Sequence, residues 1–75
     1  MSESERREKF VHLAENRVAK ALKQIRLIGN LSNKGNYSYS HQDAEKIVAA
    51  LNREIRAMKA RFDDGGGSDE PEFKL

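Results

Sequence analysis

The 75-residue sequence contains no cysteine, so it has no disulfide framework and no cysteine-ligated zinc, a composition compatible with a reducing compartment. It also lacks an uninterrupted apolar run of membrane-spanning length. Residues 1–9 are dense in charge and lead into an amphipathic stripe, which is the pattern of neither a secretory leader nor a membrane span. The expectation is a cytoplasmic protein that does not enter a membrane.

Catalytic constellations are absent as well. His12 and His41 stand far apart, neither has a second ligand type at metal spacing, and His12 falls opposite the apolar stripe of its helix. The serines and tyrosines around residues 29–40 offer hydroxyls without a base spaced to activate them. Gly65-Gly66-Gly67 follows a helical pattern, whereas a phosphate-binding loop follows a strand and opens a helix. The expected protein is not an enzyme and uses no cofactor, no metal and no small-molecule substrate.

What the sequence does contain is two apolar stripes at alternating three- and four-residue spacing. Val11, Ala14, Val18, Ala21, Ile25 and Ile28 form the first; Ala44, Ile47 or Val48, Leu51, Ile55, Met58 and Phe62 form the second. Each set lies along one side of a helix, and a Gly/Asn/Ser-rich break separates them. The spacing predicts an all-α, two-helix antiparallel hairpin over residues 1–62, with helices over about 3–28 and 41–62 and a loop over 29–39. Residues 63–75 read as a flexible acidic tail.

Local signals refine those limits. Ser2 or Ser4 can cap a first turn holding Glu3, Glu5 and Glu8, and the pairs Glu3 with Arg7 and Glu5 with Lys9 are spaced four apart. Gly29 and Asn30 tolerate a left-handed helix end. Ser40 with Asp43 resembles a capping box, and Tyr39 just before it can staple onto Ala44. Leu31, Tyr37 and Tyr39 interrupt the loop's turn residues and are expected to fold back over the open end of the hairpin.

Two helices alone leave each stripe half covered in a chain of this size. A homo-oligomer or a protein partner is therefore expected, with two hairpins pairing into a four-helix bundle. Its core would be Val11, Val18, Leu22, Ile25, Ile47, Leu51, Ile55 and Met58. Leu13 and Leu27 fall off the main stripe and widen the surface to be covered.

The net charge of +2 hides a division. Residues 63–75 carry −4, from five acidic residues against Lys74, while residues 1–62 carry +6, from thirteen basic against seven acidic residues. In helix one, Arg17, Lys20, Lys23 and Arg26 recur every three residues, and no acid lies between Asn16 and Asn30. They sweep around the face opposite the stripe over about 14 Å of helix. Arg53 and Arg56 extend the positive charge on helix two, as does Lys34 in the loop. This set reads as a nucleic-acid or acidic-partner face, with a solvated helix exterior as the plain alternative.

The loop is the other candidate contact. Asn33, Asn36, Tyr37 and Tyr39 bring amides and aromatic rings to one end of the hairpin, suited to stack on bases or to anchor a protein. A structural staple is the favoured reading of Tyr39, and Tyr37 stays open between the two roles. In the tail, Phe73 and Leu75 could dock on a partner. Against that, Gly-Gly-Gly-Ser is a familiar engineered linker, and Glu72-Phe73 and Lys74-Leu75 are dipeptides that common cloning sites encode.

The run from Ala14-Glu15-Asn16-Arg17 through Ile28-Gly29-Asn30-Leu31-Ser32-Asn33, with Asn36-Tyr37-Ser38-Tyr39 and the helix over 43–51, resembles a group of small uncharacterised bacterial helical-hairpin proteins. That resemblance implies a helical hairpin and no known activity. The architecture is also similar to a small plasmid RNA-binding hairpin that dimerises into a four-helix bundle, a likeness of fold without a shared motif. Function therefore reads as a small interaction module or regulator acting through its helix faces and loop, with a nucleic-acid-binding regulator as the alternative.

Overall fold

The computed structural model describes residues 2–65. Among them the protein is all-helical: α1 spans Glu3–Gly29, a single 3₁₀ turn spans Asn30–Ser32, and α2 spans His41–Asp63, with no strand. The chain divides between Ser38 and Tyr39 into two units, each with its own helix. No described residue is buried, and no described helix is long and apolar enough to cross a membrane.

In the first unit, Ser2 rather than Ser4 caps α1. Its hydroxyl accepts the Glu5 N–H at 3.2 Å, and its own N–H donates to Glu5 Oε1 at 2.9 Å, closing a capping box. That box corrects the expected ion pairs. The Glu5 carboxylate is held by the cap instead of Lys9, Glu3 meets Arg6 at 3.4 Å instead of Arg7, and the Arg7 guanidinium lies over the Phe10 ring at 5.7 Å. The Glu3–Arg6 pair is largely exposed and contributes only tenths of a kcal/mol.

The end of α1 differs from the expectation. Gly29 and Asn30 have φ of −60° and −67°, both right-handed, and the chain tightens into the 3₁₀ turn without a left-handed cap. The Asn30 N–H donates to the carbonyls of Arg26, Leu27 and Ile28, so the tightened turn satisfies the end of the helix and removes the need for positive φ. Helical structure therefore runs through Ser32, and the loop shortens to residues 33–40.

Asn33 is the residue that breaks the helical path. Its backbone is extended, its side-chain Oδ1 accepts the Gly35 N–H at 2.9 Å, and its carbonyl accepts the N–H groups of Asn36 and Tyr37, each at 3.0 Å. Leu31 and Tyr37, expected to fold back over the loop, are exposed.

In the second unit the capping box forms as the spacing predicts. Ser40 Oγ accepts the Asp43 N–H at 3.1 Å, and the Ser40 N–H donates to Asp43 Oδ2 at 2.9 Å. Tyr39 and Ala44 occupy the two positions of a hydrophobic staple, and both are half-buried. The helix takes in Asp63, one residue beyond the expected end at 62, and Lys59 pairs with it at 2.9 Å. Gly65 then adopts a φ of 73°, the left-handed conformation common just past a helix end, and donates its N–H to the Phe62 carbonyl at 3.0 Å. The rest of the tail, including Phe73 and Leu75, lies outside the described residues.

The capping box at Ser2 also acts on the ionisation of Glu5. The hydrogen bonds from the Ser2 backbone and side chain hold its carboxyl below the usual carboxylate value. A folded-state value below the unfolded one means that the box stabilises α1 at neutral pH and loses that contribution as pH falls through the lowered value. The Ser2 amide resonance should move through a transition below the ordinary carboxylate range, and Glu5→Gln should abolish it; a transition that survives in the variant would refute the assignment.

Candidate functional site

An α-helix turns about 100° per residue, so residues three apart step back by about 60° while rising about 4.5 Å. On α1 this spreads Arg17, Lys20, Lys23 and Arg26 over about 180° of circumference. Val18 and Ile25 mark the middle of the apolar stripe. Opposite them lie Lys20 and Lys23, each within about 30° of the antipode, while Arg17 and Arg26 sit about 90° away on opposite flanks.

All four side chains are exposed. Among the described residues none of them lies within ion-pair distance of a carboxylate; the acids of α1 sit in its first half, at Glu3, Glu5, Glu8 and Glu15. Uncompensated cations three residues apart repel one another by tenths of a kcal/mol per pair. Screening over about 8 Å at physiological salt softens that repulsion without removing it. An anionic partner would.

Two residues on the same face escaped the sequence reading as site residues. Asn16 and Leu27 are eleven positions apart, which returns them to within about 20° of each other and places both close to the middle of the basic face. Leu27 is exposed there, at 46%. Asn16 Nδ2 lies 3.3 Å from His12 Nε2, a hydrogen bond when that ring nitrogen carries no proton. The signal that could have found them is the same rotation that located the lysines, applied to the uncharged residues.

The remaining candidates divide by unit. Lys34 is exposed within the Asn33 turn of the first unit. Arg53 and Arg56 are exposed on α2, with Arg53 opposite the stripe and Arg56 toward one flank of that polar face. Of the loop set, the amide of Asn33 is engaged in forming the turn and Tyr39 is half-buried beside the α2 cap, whereas Asn36 and Tyr37 are exposed. Histidine and carboxylate side chains do not gather into a metal-binding group among the described residues. His41 instead lies 3.4 Å from Glu45, an ion pair when the imidazole is protonated.

The apolar stripes are the second surface. Val18, Leu22, Ile25, Ile47, Ile55 and Met58 are all exposed, and Val11 and Leu51 are half-buried. On α2 the stripe is the more cleanly segregated of the two, with Ala44, Ile47, Val48, Leu51, Ile55, Met58 and Phe62 inside an arc of about 100°. Comparison with family models, curated proteins and solved structures finds no match for this chain.

The loop geometry generates a local test. Asn33→Ala removes the acceptor of the Gly35 N–H. A net contribution of about 1 kcal/mol for such a bond corresponds to about fivefold faster exchange of the Gly35 amide, with α1 unchanged by circular dichroism. Unchanged Gly35 exchange would show that the side chain does not hold the turn.

Proposed function

We propose that this protein is a small non-enzymatic interaction module of the cytoplasm whose two helices close as an antiparallel hairpin and pair with a second copy into a four-helix bundle. The observation that carries this reading is the exposure of six of the eight core candidates, Ile25 and Ile55 among them at 41% and 50%, with Val11 and Leu51 half-buried. Completing the burial of a half-exposed aliphatic side chain contributes about 1 kcal/mol, so the six exposed ones hold on the order of 6 kcal/mol per chain that hairpin closure and pairing together would release. Two chains supply twice that, comparable with the roughly 4–15 kcal/mol that association costs.

A second reading rests on a separate observation, the row of four exposed cations on α1 without carboxylate partners among the described residues. In it the protein is a nucleic-acid-binding regulator that contacts phosphates through that basic face. The two readings are compatible, because the stripe and the row occupy opposite sides of one helix.

Sedimentation equilibrium of the full chain over a wide concentration range tests the first reading. A dimer is expected, and Ile25→Asp or Ile55→Asp should weaken it at least about a hundredfold, because each would place an unpaired carboxylate in the shared core. A helical protein that stays monomeric at every concentration would overturn self-association.

A further inference from the structure

We infer that residues 16–27 of α1 lie in the major groove of duplex DNA, with Arg17 and Arg26 on the two phosphate walls and Asn16, Lys20, Lys23 and Leu27 toward the floor. This rests on the second reading above and specifies its ligand. Rotation along the helix decides which surface the four cations can meet. A flat anionic surface set against the basic face meets the two lysines, but Arg17 and Arg26 point about 90° away to either side and gain little from it. All four cations engage together only when negative charge rises on both flanks of the helix.

The B-form major groove has that shape. It is about 12 Å wide and admits a helix whose diameter with side chains is 10–12 Å, with a phosphate backbone along each edge. The residue types match their positions. Both flanks carry arginine, whose planar fork suits phosphate oxygens, whereas the middle carries lysine and asparagine, which can donate to guanine and adenine edges. Leu27 is the residue that the charge row alone leaves unexplained. An exposed leucine in the middle of a basic face is unfavourable in water, yet it suits the thymine methyl group that projects into this groove.

Other nucleic acids fit less well. The A-form RNA major groove is deep and narrow and does not admit the helix. Single strands are held by aromatic stacking, and residues 16–27 contain no aromatic side chain. The apolar stripe faces out of the groove in this arrangement and stays free for a second copy.

Fluorescence anisotropy of the full chain with a labelled duplex DNA, repeated over a salt series, tests the inference. Two phosphate contacts, at Arg17 and Arg26, at about 0.9 each give a slope of log K against log salt near −1.8 for every α1 engaged. Arg17→Gln and Arg26→Gln should each reduce the slope by about 0.9 per α1. An RNA duplex of the same sequence, and a DNA duplex with bulky substituents at cytosine C5 that fill the major groove, should each bind at least tenfold more weakly. Glutamine keeps helix propensity, and circular dichroism verifies that each variant is folded. Equal affinity for the groove-filled DNA, or a slope indifferent to Arg17 and Arg26, would overturn placement in the groove and leave a phosphate-binding outer face. No binding to DNA at low salt by the helical wild type would overturn that face as well.

Discussion

The turn of the α-helix is the constraint on which the rest of this protein depends. A period of 3.6 residues puts Val18 and Ile25 on one side of α1 and Lys20 and Lys23 on the other, so the apolar and cationic surfaces are opposed by geometry. Anything that covers one leaves the other accessible. The capping box at Ser2 matters because it sets where this rotation starts, and the box at Ser40 does the same for α2. Neither box needs a tertiary contact to form, since the donors and acceptors are three residues apart.

The consequence is a chain whose local structure is well specified and whose large apolar side chains lack a core among the described residues. Helices of 27 and 23 residues exceed the length at which isolated helices become marginal in water, but tertiary burial supplies most helix stability in folded proteins. The exposed isoleucines, leucines and methionine therefore represent unrealised stabilisation of a size that matters beside the few kcal/mol by which small domains are stable. The cations of α1 add a smaller opposing term, since their mutual repulsion is relieved only by anions. Both terms favour bound states over the isolated chain.

Much of the local architecture was legible because it follows from short-range chemistry. The Ser40-to-Asp43 spacing and the stripe from Ala44 to Phe62 each act within one or two helical turns, and the structure has them where the residues say, while the acid and glycine end α2 one residue later than expected, after Asp63. The end of α1 was misread because Gly29 and Asn30 permit a left-handed cap without requiring one. A 3₁₀ turn satisfies those carbonyls without a positive φ. The ion pairs were misread because the Glu5 carboxylate has two competing uses, and the backbone N–H of Ser2 is nearer and better fixed than the long side chain of Lys9. In the candidate site, the basic row is legible from its three-residue spacing, whereas Asn16 and Leu27, eleven positions apart and uncharged, share its face without any pattern in charge that marks them.

By itself the sequence determined the helical class, the position of the α2 cap and the opposition of apolar and basic faces, because periodicity and capping depend on neighbours within a few residues. The three-dimensional structure decided which serine caps α1, that Gly29 and Asn30 stay right-handed, and that the side chain of Asn33 turns back onto Gly35. It also decided that positive φ is placed at Gly65. Those outcomes are choices between alternatives of nearly equal local energy, and such choices are settled by the hydrogen bonds that the folded backbone brings within reach.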